Sequence, residues 1–380
     1  MSATSAGAAI TLVPVDSAAL KQRFIRLPAR LHAGDPNWIT PLDLERSEAL
    51  SPKHNPLFAH TDVQFWLAVR DGRDVGRISA QVNRDATDGV GQFGLLAAEN
   101  DAAIVKALFD TAEAWLKARG MREALGPFSL SINEETGLLV AGHDTPPMLM
   151  MGHDRPYLGG LVEAQGYAKA KDVYAYLCDI TQPWPKPVQG LLRRPLGPSV
   201  QLRHLSFKHY RRDIEQITSI FNDAWSANWR FEPLTAADTD HLAKAMRPIL
   251  SERMVWFVDV DGEPAGFGVA LPNLNEAIAD LDGRLLPFGW AKLLWRLKVR
   301  GVTGARVPLM GIRKRHAHGI IGSTLPFLII DAMRTEGLKR GFQRAELSWI
   351  LEDNLPMRRI NESLGGVAYK TYRVYRKALA

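Results

Sequence analysis

Four stretches of the chain concentrate side chains that could move protons. SINEETG (131–137) sets Asn133, Glu134 and Glu135 directly before an apolar run, a denser polar cluster than a turn requires. Turn capping explains it equally well, so Asn133, Glu134 and Glu135 stand as acceptor-site or base candidates, Asn133 for acceptor binding and Glu135 as a base. The tripeptide GHD occurs twice, at 142–144 and 152–154. Its two His and two Asp are metal-ligating types, but nothing in their spacing puts all four on one face, so no metal is expected. His153 is read instead as a proton acceptor, because the ordinary imidazole pKa suits neutral pH. Glu352 ends the strand-like AELSWILEDN, on the face that alternation would share with Glu346, Ser348 and Ile350. A polar strand end is the plainer account of it. Tyr372 and Tyr375 carry phenols able to donate to a leaving anion, although strand propensity explains them as well.

Other stretches look built to bind. In GIRKRHAHGIIGSTLPFLII (311–330) a basic run leads through glycines into a helix start, where free N–H groups and the helix dipole favour an anion. Arg313, His318, Gly319, Gly322, Ser323 and Thr324 are the candidate contacts, against an ordinary basic helix start. Trp225, Asn228 and Trp229 suit the wall of an apolar channel, with packing as the default for tryptophan. In the segment 283–308, Leu, Phe and Trp, including Trp290, alternate with Lys and Arg. That pattern fits either a contact with an anionic membrane surface through 283–300 or a buried helix with solvated cations.

The elements that must position these residues repeat. FWLAVRDGRDVGRISA (65–80) and VWFVDVDGEPAGFGVA (255–270) are each an apolar strand, an Asp-Gly turn and a second strand, with a glycine four residues after the turn glycine. AAIVKALFDTAEAWLKARGM (102–121) and GSTLPFLIIDAMRTEGLKRGF (322–342) are the helices that follow, each leaving through Arg-Gly into an apolar strand. PYLGGLVEAQGYAKAKDVYAY and PMRRINESLGGVAYKTYRVY then match as Pro, short helix, glycine and Tyr-rich strand. Two strands, helix, strand, helix, strand, twice over, is a tandem α+β repeat. The proline-rich 181–198 has a linker's composition, giving halves at 1–180 and 199–380.

With 380 residues, 46% apolar and 23% charged, the chain has enough apolar material for sizeable cores. MSATSAGAAITLVPV lacks the charged and apolar regions of a secretory signal and reads as a lead-in to a first strand. No apolar run approaches the ~20 residues of a spanning helix. The single cysteine, Cys178, excludes an intramolecular disulfide and is read as core filler in a reducing compartment. A net charge of +6 admits CoA, anionic lipid or nucleic acid without choosing among them. There is no GxSxG elbow, HExxH or P-loop, which argues against the commoner hydrolases and NTPases.

The order of elements and the second-half motifs resemble the GNAT family of acyl-CoA-dependent N-acyltransferases. The resemblance implies an α+β fold of tandem GNAT-like halves, each a mixed, mostly antiparallel sheet flanked by helices. It also implies a splayed strand pair that admits pantetheine and a glycine loop that holds the pyrophosphate. That loop departs from the family pattern, with its glycines three apart and His316 where Gln or Arg is usual. The family spacing Asn, Ala, Tyr, Gly falls on Asn354, Met357, Asn361 and Gly365, so Asn361 stands where the acid that protonates the CoA thiolate would be. An amide cannot supply that proton, but a thiol pKa near ~8.5 makes thiolate a fair leaving group unaided. Asn354 is carried as a CoA contact and Asn361 as a substrate contact. In the first half, Glu99 and Asp101 precede the equivalent helix and would repel pyrophosphate, so one CoA site is expected, in the second half, with the first half contributing to the acceptor site.

Over nearly the whole chain, strings such as LHAGDPNWITPL (31–42), NDAWSANWRFEPL (222–234) and LSWILEDNLPM further resemble the bacterial ceramide synthase group. This implies transfer of a fatty acyl group from acyl-CoA to a sphingoid-base amine without an acyl-enzyme. No permanently bound cofactor is expected, with acyl-CoA as co-substrate and a lipid amine as acceptor. The expected location is cytoplasmic, peripheral at the inner membrane, and nucleic acid is not an expected partner. An aminoacyl-tRNA-dependent transferase, or a non-catalytic acyl-lipid-binding protein with a dead site at Asn361, remains the alternative.

Overall fold

The computed structural model describes residues 9–248 and 250–380, so the expected lead-in at 1–8 lies outside the described residues. In chain order the strands are β1 (Thr11–Pro14), β2 (Thr61–Arg70), β3 (Arg73–Asn83), β4 (Val90–Ala98), β5 (Glu123–Gly126), β6 (Leu138–Ala141), β7 (Ala168–Asp179), β8 (Val200–His204), β9 (Val255–Val260), β10 (Glu263–Pro272), β11 (Gly304–Ile312), β12 (Arg344–Leu351) and β13 (Val367–Ala378). The helices are α1 (Ala18–Leu31), α2 (Asp43–Ala49), α3 (Ala102–Lys117), α4 (Leu158–Glu163), α5 (Lys186–Leu192), α6 (Tyr210–Trp225), α7 (Ala236–Met246), α8 (Leu274–Ile278), α9 (Gly289–Trp295), α10 (Gly319–Lys339) and α11 (Leu355–Ser363). They form two compact units, one of Met1–Asp172, Ile278–Leu285 and Thr371–Ala380, the other of Val173–Ala277 and Leu286–Lys370.

This division differs from halves meeting at a linker. The segment 181–198 carries α5, and Trp184 and Val188 are buried in the core of the second unit, so its prolines shape a packed turn and helix rather than a free tether. The end of the last strand, Thr371–Ala380, belongs to the first unit.

In the first unit the strands run β1-β2-β3-β4-β5-β13, with β6 also on β13. Helix α3 starts at Asp101, whose side chain accepts from the Ala103 N–H, and lays Ile104, Leu108 and Phe109 into a core with Trp66, Ile78 and Phe93. In the second unit the order is β7-β12-β11-β10-β9-β8, and α10 buries Leu325, Ile329 and Met333 against Val258, Met310 and Leu347. Both expected hairpins are present. Asp71-Gly72 and Asp261-Gly262 all have positive φ, the conformation of a tight turn whose twist matches the strands it joins. A register shift lies beside each turn, between Ala68 and Val69 on the strand before the first and between Pro264 and Gly266 on the strand after the second, so the halves share local irregularities as well as element order.

Candidate active site

In the second unit, β11 and β12 pair in parallel only from Gly304↔Arg344 to Val307↔Leu347, although both strands continue. Pro308 follows on β11 and has no N–H to extend the ladder. On β12 the register against β7 shifts between Leu347 and Ile350. The two strands therefore part, and a shallow open cleft lies in the fork, lined by Trp225, Asn228, Pro308, Ser348, Trp349 and Asn354 among others. Trp225 donates its indole N–H to the Met310 carbonyl at 3.2 Å, which satisfies one backbone group that the fork frees. Asn354 caps α11, its Oδ1 accepting from the Met357 N–H at 3.2 Å.

Strand β11 runs directly into the basic loop and α10. Gly319 has φ +76°, and a Cβ there would meet nothing within 4 Å, whereas a Cβ on Gly322 would stand 2.3 Å from the His316 carbonyl oxygen. Backbone conformation thus favours glycine at the first position, and close approach excludes any other residue at the second. His318 precedes the helix without a side-chain cap, leaving the first-turn N–H groups to other partners. Not every predicted contact is presented. Arg313 is spent on the Pro264 carbonyl and the Ser219 hydroxyl, both at 3.0 Å. Ser323 is exposed and donates back to the Ile320 carbonyl, and Thr324 is fully buried and does the same, so its side chain faces the protein.

Beneath the fork lies a buried polar set that sequence reading passed over. Arg306 and Glu346 are direct partners across β11 and β12. The Arg306 guanidinium donates through Nε to Ser348 Oγ at 2.8 Å and lies 3.6 Å from Glu346 Oε1. The Ser348 and Tyr369 hydroxyls both donate to Glu346. Burial together with the Glu346 charge pushes the Tyr369 phenol far up, so it stays protonated and donating. The available signal was one Arg inside β11 and one Glu inside β12, Arg344 standing at that strand's exposed start, and such a pair must meet if both are buried.

Several expectations are corrected here. The shift in β12 buries Glu346, Leu347 and Ser348 in succession, so alternation does not carry that face on to Glu352, which lies in the turn beyond the strand. Tyr372 and Tyr375 are fully buried, their hydroxyls donating to the Gly152 carbonyl and to Glu163, and neither lines the cleft. Asn361 is 1% exposed and off the cleft; its amide donates to the Met357 carbonyl, and its Oδ1 has no partner among the described residues. Trp229 also lies off the cleft wall that Trp225 and Asn228 share.

The first unit holds its own polar cluster. Glu135 is ion-paired with Arg46 at 2.6 Å and accepts from Ser129 at 3.1 Å. Burial opposes its charge, but Arg46 outweighs it and holds the carboxyl below the usual range, which makes Glu135 a weak base. Its neighbour Glu134 is pushed up to about 8 and Asp154 to about 7, each chiefly by burial, so these are the groups that can take up a proton near neutrality. Both GHD repeats anchor on one residue of β6: the His143 ring bonds the Leu139 carbonyl at 3.2 Å, and Asp154 accepts the Leu139 N–H at 2.8 Å. His153 meets Asp35 at 3.1 Å in a pocket where His32 stacks on Trp38 at 3.9 Å. His32 must donate from Nδ1, since its partner is the Pro28 carbonyl, and burial drops its pKa to about 4, so it stays neutral. Asn133 sits in the same turn, its N–H bonded to Ser131 Oγ at 3.2 Å.

No family model matches the chain. It is 54% identical to a protein described as bacterial ceramide synthase from Caulobacter vibrioides, over 99% of both chains, and 42% identical to Protein YghO of Escherichia coli, over 94% of this chain and 92% of that one. Among solved structures, a tandem GNAT protein from the clavulanic acid biosynthesis pathway matches 98% of this chain and 99% of its own with TM-score 0.57 at 13% identity. A GCN5-related N-acetyltransferase from Sphaerobacter thermophilus matches 97% and 96% with TM-score 0.50 at 11% identity. A forked parallel strand pair with a glycine-gated helix start, on a fold shared with tandem GNAT proteins and a sequence more than half identical to a ceramide synthase, places this chain among the acyltransferases of the bacterial ceramide synthase family.

Proposed function

We propose that the chain transfers a long-chain fatty acyl group from acyl-CoA to the amine of a sphingoid base. The observation that carries this is the cleft at the fork of β11 and β12, continuous along the chain with the basic loop and the uncapped start of α10. Backbone groups freed in the fork suit the amides of pantetheine, and first-turn N–H groups with Lys314 and His318 nearby suit the diphosphate. The neutral amine attacks the thioester carbonyl; the N–C bond forms, the C–S bond breaks, and thiolate departs. One proton leaves the amine and one ends on the thiol. Glu352, in the turn between the cleft residues Leu351 and Asn354, serves as the base through water. Asn361 lies off the cleft, so the thiolate takes its proton from water. Cys178 has no part in the transfer.

The acceptor is a lipid, and α9 offers a contact with an anionic membrane. Within it Trp290, Leu294 and Trp295 are each at least half exposed, and Leu286, Phe288 and Val299 on either side more so, which favours the interfacial reading over a buried helix. Residues 283–330 contain nine Lys and Arg and no Asp or Glu. Co-sedimentation with phosphatidylglycerol vesicles, lost in Leu286→Ser/Phe288→Ser, supports this; equal recovery of variant and wild type refutes it.

The deciding experiment measures free thiol released from palmitoyl-CoA with and without a sphingoid base, with mass spectrometry of the product. Amine-dependent release that yields the amide is expected. Binding without release would mean an acyl-lipid-binding protein, and transfer from aminoacyl-tRNA would mean the other alternative.

A further inference from the structure

Past their last paired rung, Val307↔Leu347, the arms of β11 and β12 separate, yet two indoles meet across the gap. Trp349 stands on the freed arm of β12. Trp225 ends α6 and gives its indole N–H to the carbonyl of Met310, on the freed arm of β11, at 3.2 Å. The two ring centroids lie 5.9 Å apart at 65°, an edge-to-face contact. Phe221, itself buried, packs behind Trp225 with a centroid separation of 4.7 Å, so that ring is fixed from two sides. A tryptophan that merely fills a core looks different: Trp66 is 5% exposed among the first unit's apolar side chains. Trp225 and Trp349 both line the cleft, and both keep partial exposure.

A thioester in this cleft is open to two nucleophiles. Water competes with the amine for the same carbonyl, and a base that works through water can aim that water at the carbon. Attack by water forms a C–O bond and breaks the same C–S bond, leaving fatty acid and thiol but no amide. Asn228, Ser348 and Asn354 are polar and would tolerate such a water. The indoles would not. The Trp225 N–H is already taken, and ring faces offer a water no strong hydrogen bond to hold it for attack.

We propose that Trp225 and Trp349, meeting across the fork, shield the bound thioester from water and so decide between amide and free acid as the product. The proposal rests on the acyl-CoA reading above and deepens it, by naming what gives the amine its advantage over water.

The test follows thiol, amide and fatty acid released from palmitoyl-CoA by the full-length protein, with and without a long-chain sphingoid base. Trp349→Ala should speed hydrolysis without amine about tenfold and lower the amide-to-acid ratio with amine by a similar factor. Trp349→Phe should restore most of both. Trp225→Phe keeps a ring but loses the Met310 bond, and should shift the ratio about threefold. A folded Trp349→Ala protein in which amide and acid fall together at an unchanged ratio overturns the proposal, because a purely structural role lowers both. Faster hydrolysis in Trp349→Ala beside a wild type that acylates no amine would keep the shield and sink the transferase reading. A second arm does not need the alanine variant to fold. The ten tryptophans are labelled as 5-fluorotryptophan, and the Trp225 and Trp349 signals in fluorine NMR are assigned with the two phenylalanine variants. Palmitoyl-CoA should move both signals and leave that of Trp66 in place. Binding seen by calorimetry with neither signal moved refutes the shield.

Discussion

Two parallel strand pairs begin alike and end differently. In the first unit β4 and β5 pair from Val90↔Glu123 to Gln92↔Leu125, and in the second β11 and β12 pair from Gly304↔Arg344 to Val307↔Leu347. Beyond those rungs the first unit closes: the Phe128 N–H returns to the Phe93 carbonyl at 2.9 Å, and a Cβ on Gly94 would stand 1.6 Å from the Phe128 oxygen. The second unit stays open as the cleft. The helix starts diverge in the same sense. Asp101 caps α3 and pairs with Arg70 at 2.8 Å, while Glu99 faces Arg30 and Arg73. The corresponding start of α10 has no acid and no side-chain cap. One repeat was filled and self-neutralised, and the other kept a fork and an unsatisfied helix start, the two things an extended anionic thioester needs.

The largest effect that would sharpen this contrast comes from the buried set under the open fork. Arg306→Met leaves Glu346 buried without its cation and should cost about 3–5 kcal/mol in denaturant unfolding. The first unit has only Gln92 and Leu125 at its last rung, so no single substitution there should match it by loss of charge. A cost below about 1 kcal/mol would mean the set does not hold the fork.

Next is Gly322→Ala, whose Cβ meets the His316 carbonyl. The loop must shift, and palmitoyl-CoA affinity should fall tenfold or more, about 1.4 kcal/mol. Unchanged affinity in calorimetry would remove the helix start from the binding site.

Asp101→Ala is the counterpart in the first unit. Losing the cap should lower stability by about 1 kcal/mol and leave acyl-CoA affinity untouched. A change in affinity would show that the closed half binds donor after all.

The smallest effect is a pH dependence. Glu134 has its folded pKa raised to about 8, so the folded state holds a proton that the unfolded state has lost. Its contribution is complete below the ordinary carboxylate pKa and is lost as pH rises through about 8. Glu134→Gln should therefore flatten unfolding free energy against pH across that window. An unaltered slope would place Glu134 in solvent-like surroundings.

The sequence by itself determined the repeat, because hairpin turns, helix periodicity and glycine exits are local signals that short segments carry whole. It located the glycine loop, and it identified Trp225, Asn228 and Asn354, which do line the cleft. It set Glu352 on a strand face and Tyr372 toward the site, whereas Glu352 lies in the turn beyond β12 and Tyr372 is buried with its hydroxyl on the Gly152 carbonyl. A bulge at Ser348 and Trp349 shifts every later side chain to another face, and a strand's burial depends on what packs on both sides of it. It could not tell Glu134 from Glu135, since only the fold sets Arg46 beside Glu135 and leaves Glu134 desolvated. Which fork stays open is likewise a tertiary fact. It depends on whether a backbone returning from elsewhere, here Phe128, finds room beside a glycine, and no local pattern records that contact.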